Sequence, residues 1–227
     1  MIHISYVIDN EHRVDVNFNR LVIASWTGRD RDQLERRIAE LAAVGVSTPS
    51  TVPCFYNVAA TLLTSAHTID VVGIRSTGEV EVVLIQDKSL GLLVGVGSDH
   101  TDRDVETYDV AISKQVCGKP ISESLWKYED VADHWDALVA RSWRTNNAGE
   151  RLLYQEGTLA SLLQPKDLIR SVFGSEEMPF ATALFCGTQT VIGDLSPAAS
   201  LELELYDPMR NRSLRHVYSV EVLPQMK

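Results

Sequence analysis

The sequence predicts an α+β protein that is mostly β, with a few peripheral helices. Three observations carry that prediction. Short runs rich in β-branched residues recur along the chain, as in V-E-V-V-L-I (80–85), L-G-L-L-V-G-V-G (90–97) and F-A-T-A-L-F-C-G-T (180–188). Helix signals are confined to a few segments. No internal repeat or low-complexity linker divides the chain, so residues 1–227 read as a single domain, with an N-terminal β segment plus helix over 1–50 and a β-rich region over 51–227.

Taken in order, I-H-I-S-Y-V-I (2–8), R-V-D-V-N-F (13–18) and R-L-V-I-A-S-W (20–26) read as strands, with turns at Asp9–His12 and Asn19–Arg20. Asp30 is a helix N-cap with Gln33 at the capping-box spacing. Leu34, Ile38, Leu41 and Ala42 then fall on one face, and Gly45 sits where a terminating glycine belongs. Pro49 and Pro53 bracket a loop. Between 55 and 114, V-A-A-T-L-L-T, I-D-V-V-G-I, V-E-V-V-L-I, L-G-L-L-V-G-V-G and Y-D-V-A-I-S all read as β. Residues 126–143 read as a helix with Trp126, Val131, Trp135 and Leu138 as its buried stripe. Residues 165–174 read as another, opened by Pro165 and closed by Gly174. F-A-T-A-L-F-C-G-T, L-E-L-E-L-Y (201–206) and H-V-Y-S-V-E-V-L (216–223) complete the β content.

Composition bounds the function. Among 227 residues, 21 Lys plus Arg against 31 Asp plus Glu give a net charge of −10, which argues against wrapping nucleic acid or an anionic membrane. The N-terminus has no basic start, and Asp9 and Glu11 interrupt its apolar run, so no signal peptide is expected. No run reaches the ~18 apolar residues of a membrane span. Cys54, Cys117 and Cys186 form no metal spacing and read as reduced thiols of a cytoplasmic protein.

Glu79 and Glu81 stand one residue apart in G-E-V-E-V-V-L-I (78–85). Alone, that spacing is the wet face of a half-buried strand, the reading given to Glu202 and Glu204 in L-E-L-E-L-Y. The following G-V-G-S-D-H-T-D-R-D (95–104) crowds three aspartates, a histidine and an arginine at a strand end. Two readings fit: aspartates capping the next turn, or acidic side chains gathered on a hard divalent cation.

Glu79-x-Glu81 followed by Ser98-Asp99-x-Thr101-x-Arg103-Asp104 resembles the fumarylacetoacetate hydrolase superfamily, whose members carry E-x-E and then N-D-x-S-x-R-D. I-S-K-Q-V-C-G-K-P (112–120), Y-Q-E-G-T-L-A-S-L-L (154–163) and L-F-C-G-T-Q-T-V-I-G (184–193) continue the resemblance in order, across roughly residues 55–193. The arrangement is most similar to a bacterial branch of unknown function. The resemblance implies the superfamily's β-roll as catalytic region and one Mg²⁺, or Mn²⁺ or Ca²⁺, on Glu79, Glu81 and Asp99. It implies a lysine at Lys114 supporting charge on a substrate, and substrate contacts from Gln155 and Thr188. Arg103 is implied at the site as a further substrate-binding residue, braced with Asp104 by an ion pair; Asp102 has no acidic counterpart and is expected in solvent.

The implied function is a metal-dependent hydrolase of a small 2-oxo or β-dicarbonyl acid, cleaving a C–C bond through an enolate that the metal stabilises. A lyase or isomerase at the same centre and a non-catalytic metabolite-binding relative are the alternatives. Hydrolases of the family carry N-Y-x-x-H-x-x-E upstream of E-x-E. Here His3, His12 and His67 each lack a glutamate three residues on, and Phe55-Tyr56-Asn57 only faintly echoes the family's F-L-K-P-P-S. His100 is the substitute base by position. His134 reads as a surface residue and Cys186 as packing. The resemblance also implies a homodimer acting on a small oxo acid, without nucleic acid or membrane.

Overall fold

The computed structural model describes residues 2–8, 12–43, 49, 51–146 and 148–224. The first three β runs form β1 (Ile2–Ile8), β2 (His12–Phe18) and β3 (Arg20–Ser25), turning at Asn19. The expected turn residues 9–11 and the terminating Gly45 lie outside the described residues. Helix α1 (Arg31–Ala43) starts where its cap predicts, the Gln33 N–H donating to Asp30 Oδ1 at 2.9 Å. Leu34 and Ile38 are half-buried on one face; the side chains of Leu41 and Ala42 lie outside the described ones.

The chain continues through β4 (Cys54–Val58), a 3₁₀ turn at Ala60–Leu62, and β5 (Leu63–Thr64), β6 (Thr68–Val71), β7 (Ser76–Thr77), β8 (Val80–Asp87), β9 (Gly91–Ser98) and β10 (Thr101–Asp102). Helices α2 (Arg103–Glu106) and α3 (Val110–Gln115) follow, then β11 (Lys119–Pro120), β12 (Ser124–Lys127), β13 (Val139–Thr145), β14 (Arg151–Thr158), α4 (Pro165–Phe173), β15 (Thr182–Thr188), β16 (Ser200–Asp207) and β17 (Arg212–Val222). Helix α4 has the predicted bounds, with Pro165 in its first turn and Gly174 at φ 64° ending it.

Three expected elements are corrected. V-A-A-T-L-L-T is β only at its ends, Val58 and Leu63–Thr64, with a 3₁₀ turn at Ala60–Leu62 between them. Y-D-V-A-I-S is not β: Asp109 accepts the Ile112 N–H at 2.8 Å and starts α3, so a local cap overrides the β-branched residues. Residues 126–143 are not a helix. Trp126 belongs to β12 opposite Val94, and Val131, Trp135 and Leu138 are buried from 3₁₀ turns at Tyr128–Asp130 and Ala132–Ala137, before β13 begins. His134, at φ −127° and ψ 26°, breaks that segment, so the apolar spacing met the core without a regular helix.

An eight-stranded sheet runs β2-β1-β12-β9-β8-β15-β3-β4, and a five-stranded sheet runs β14-β13-β16-β17-β6. Both faces of the larger sheet are buried. On one, Val80, Val82 and Leu84 of β8 meet Leu201, Leu203, Leu205 and Tyr218 of the smaller sheet. On the other, Val83 and Ile85 pack with Leu21, Ile23, Leu93 and Phe185. Strand β8 is therefore interior on both sides and reads as near-continuous apolar sequence, with Glu81 on the Val83–Ile85 face. This is the α+β, mostly β fold expected from the sequence.

Candidate metal centre

Strands β8 and β9 pair antiparallel with Val80 opposite Ser98 and Glu81 opposite Gly97, so Glu79 and Asp99 leave the ladder together. The Asp99 N–H donates to the Glu79 carbonyl at 3.0 Å. Glu81 and Asp99 are buried, Glu79 partly so, and one carboxylate oxygen from each lies within 4.8 Å of the others. Glu81 Oε2 accepts the Gly187 N–H at 2.7 Å. That bond needs glycine: Gly187 has φ +98°, and a Cβ there would lie 1.9 Å from Thr27 Oγ1.

Three cations face the carboxylates. Lys114, from α3, bonds Asp99 Oδ2. Lys119 lies 3.5 Å from Asp99 Oδ1, its Nζ also donating to the carbonyls of His100, Lys114 and Cys117. Arg103 pairs with Glu79 at 2.9 Å and Glu106 at 2.8 Å, and donates to Thr77 at 2.6 Å. Burial beside the Asp99 charge pushes the Glu81 carboxyl well above the usual range, against the pull of Lys114 and the Gly187 N–H. Burial opposes ionisation of Asp99 too, but Lys114 and Lys119 outweigh it and hold its carboxyl low. Burial would lower Lys114; the Asp99 and Glu79 charges reverse that and raise it. Burial dominates at Lys119 and lowers it.

The donor set suits a hard divalent cation. It is all oxygen, and Mg²⁺ or Ca²⁺ at about 2.0–2.6 Å from each ligand brings ligand oxygens within the separation these three already have.

The remaining sequence-predicted residues take definite places. His100 is buried, its Nδ1 3.0 Å from the Tyr218 hydroxyl, while its Nε2 has no hydrogen-bond partner among the described residues. Burial, then the Lys119 and Arg103 charges, push it down to about 3. Gln155 is fully engaged within the protein: Oε1 accepts from Val80 N at 2.8 Å and Ser142 Oγ at 3.0 Å, and Nε2 donates to Thr188 Oγ1 at 2.7 Å and the Gln189 carbonyl at 2.6 Å. The Thr188 hydroxyl donates in turn to the Val80 carbonyl at 2.7 Å. Gln155 and Thr188 thus brace the start of the glutamate strand.

Three expectations about charge are corrected. Arg103 does not pair with Asp104, which pairs with Arg75 at 3.0 Å. Asp102 is buried and caps α2, accepting from Asp104 N and Val105 N at 3.0 and 3.1 Å, the capping reading of that aspartate. Glu204, expected in water like Glu202, is buried under Arg141, Ser213 and Arg215. His134 is not a bare surface residue: its Nε2 meets Asp207 Oδ1 at 3.0 Å. Cys186 is buried and its thiol pushed up by burial, as packing requires.

The sequence reading passed over Lys119, although it lies in the same I-S-K-Q-V-C-G-K-P segment as Lys114, and Tyr56, whose ring face stands 5.6 Å from Lys114 Nζ. Nothing in the segment itself tells that both lysines turn inward. Two surface concavities, one beside His3, Arg13 and Glu123 and one beside Tyr128, Asp133 and Lys166, do not include the carboxylates. No helix among the described residues is long and apolar enough to cross a membrane.

Comparison with solved structures places this fold. The apo form of 2-keto-3-deoxy-D-arabinonate dehydratase superposes with a TM-score of 0.68 at 12% identity, over 92% of this chain and 75% of that one. The same dehydratase complexed with magnesium and 2,5-dioxopentanoate gives 0.65 at 13% identity, over 92% and 75%. Cg1458 gives 0.62 at 14% identity, over 92% and 78%. At such identities the likeness is one of fold. No curated protein matches the sequence. A family model described as "Protein of unknown function (DUF2848)" matches residues 24–218, from β3 to β17, and the chain belongs to that family.

Proposed function

We propose that this chain is an enzyme that uses a divalent cation on Glu79, Glu81 and Asp99 to act on a small 2-oxo acid, by lyase chemistry such as hydration–dehydration or decarboxylation. The observation that carries the reading is the group of three carboxylate oxygens within 4.8 Å, set among Lys114, Lys119 and Arg103. The fold shared with a dehydratase solved with magnesium and 2,5-dioxopentanoate supports it.

When bound, a divalent cation supplies a Lewis acid for charge developing on a carbonyl oxygen. The protein's own part is electrostatic. Lys114 keeps an ammonium at the edge of the centre, between Asp99 and the Tyr56 ring, and Arg103 fixes Glu79 in place, so positive charge stands near where an enolate would form. Gln155 and Thr188 hold the strand that presents both glutamates.

C–C hydrolysis is the second reading. It requires a base to activate water, and the described residues give it little: His3, His12 and His67 are exposed, and His100 turns its Nδ1 to Tyr218. Metal analysis, then assay of acylpyruvates, oxaloacetate, 2-oxo-enoates and 2-keto-3-deoxy sugar acids, tests both. Metal-dependent release of water or CO₂, abolished in Glu81→Ala, is expected; equal turnover by Glu81→Ala rules the site out. A homodimer is proposed from the superfamily resemblance and is checked by light scattering.

A further inference from the structure

Three cations face the carboxylate group, and two are anchored at several points. Arg103 donates Nε to Thr77 and Nη1 to Glu106, and its Nη2 forms an ion pair with Glu79 at 2.9 Å. Lys119 Nζ is held by three backbone carbonyls, at 2.5 to 3.1 Å. Lys114 is different. Among the described residues its ammonium has one hydrogen-bond acceptor, Asp99 Oδ2; it lies 5.6 Å from the Tyr56 ring centroid and within the field of Glu79 and Glu81.

The backbone under Lys114 is fixed. Asp109 caps α3, and Lys119 Nζ holds the Lys114 carbonyl at 2.5 Å. The movable part is the side chain, a flexible stem ending in a point charge. Asp99 is also a ligand of the proposed centre. An ammonium bonded to a carboxylate oxygen and a dication on that same carboxylate would be like charges in contact in a buried site, where repulsion is strong. The electron-rich Tyr56 face, already 5.6 Å from the ammonium by its centroid, attracts cations, so a small turn of the stem toward it would lengthen the Asp99 contact.

We propose that Lys114 is the resident counter-ion of this carboxylate group: a divalent cation enters by displacing the Lys114 ammonium from Asp99, and the Tyr56 ring receives it. The inference rests on the metal-centre reading and adds an exchange step to it. It makes metal affinity lower than the three carboxylates alone would give.

Mn²⁺ affinity of the full chain, measured by calorimetry and by the EPR signal of free Mn²⁺, tests it. Lys114→Gln is expected to bind Mn²⁺ tighter by about tenfold or more, the size of a removed like charge in partial screening. Lys114→Arg, which keeps the charge, is not expected to tighten. Tyr56→Leu is expected to weaken Mn²⁺ binding several-fold, and to have no effect when combined with Lys114→Gln. Equal or weaker Mn²⁺ binding by folded Lys114→Gln overturns the exchange while leaving the metal centre standing. Unchanged affinity in Tyr56→Leu overturns the receiving role of the ring, and holds even if Lys114→Gln fails to fold. If wild type and Lys114→Gln both ignore millimolar Mn²⁺, the metal centre and the exchange fall together.

Discussion

Gln155 Oε1 accepts the Val80 N–H at 2.8 Å, and this bond ties β14 to the strand that carries the glutamates. The same side chain bonds Ser142, Thr188 and Gln189, so truncation takes a partner from four polar groups, of which Thr188 keeps its bond to the Val80 carbonyl. Gln155→Ala is expected to cost about 3 kcal/mol, since each buried group left unpaired costs about 1–3 kcal/mol and relaxation recovers part. Urea unfolding measures it; a loss below about 1 kcal/mol would mean that water replaces the side chain.

Glu81 is buried beside Asp99, and its carboxylate is costly to keep charged without a cation. Added Mg²⁺ or Mn²⁺ is expected to raise the melting temperature of the wild type in proportion to log concentration, with about 2.7 kcal/mol gained at a hundred times Kd. Glu81→Gln is expected to lose that response while remaining at least as stable as wild type in EDTA. A full metal response in Glu81→Gln excludes the residue from the centre.

Glu202 and Glu204 share one strand and one spacing yet differ in setting. Glu202 pairs with Arg151 on a partly exposed surface, whereas Glu204 is buried among Arg141, Arg215 and Ser213. Glu202→Ala is expected to change stability by less than about 0.5–1 kcal/mol, and Glu204→Ala to lower it by about 2–3 kcal/mol through its unpaired partners. Parallel thermal melts of the two variants compare them directly, and equal effects would contradict the burial of Glu204.

Asp207 shapes the turn between β16 and β17. It accepts from Met209 N at 3.0 Å and Arg210 N at 3.2 Å, and it meets His134 and Arg212. Burial raises its carboxyl, but the His134, Arg210 and Arg212 bonds win and hold it below the usual range. A depressed folded value means that stability is present above the unfolded value of about 3.9 and is lost as pH falls through the folded one. Asp207→Asn is therefore expected to be less stable than wild type at pH 6, by about 1–3 kcal/mol, with the gap closing as pH falls through the lowered carboxyl value. Denaturation across that range checks it; a gap independent of pH would point to packing instead.

Much of the fold is legible because its signals are local. Asp30 with Gln33, and Pro165 with Gly174, mark helix ends through bonds that span a single turn. Strand β8 announces its double burial by its apolar run. The 126–143 segment misleads because Trp126, Val131, Trp135 and Leu138 are all buried, as a helix stripe would be, while the backbone reaches the core by a strand and two 3₁₀ turns. Asp102 and Asp109 each carry a cap that composition alone cannot tell from a solvated charge.

By itself, the sequence determined the strand-rich architecture, most element bounds and the residues Glu79, Glu81 and Asp99 as a group, the last through the order of its motifs. Tertiary structure alone decided which charges face inward. Glu204 is drawn under arginines from two neighbouring strands, Lys119 turns its ammonium onto three carbonyls, and Gln155 and Thr188 bond across to Val80. The reason is physical: period-two alternation fixes which side of a strand a residue takes, but whether that side is wet depends on what packs against it. Here those partners arrive from strands up to 108 positions away along the chain.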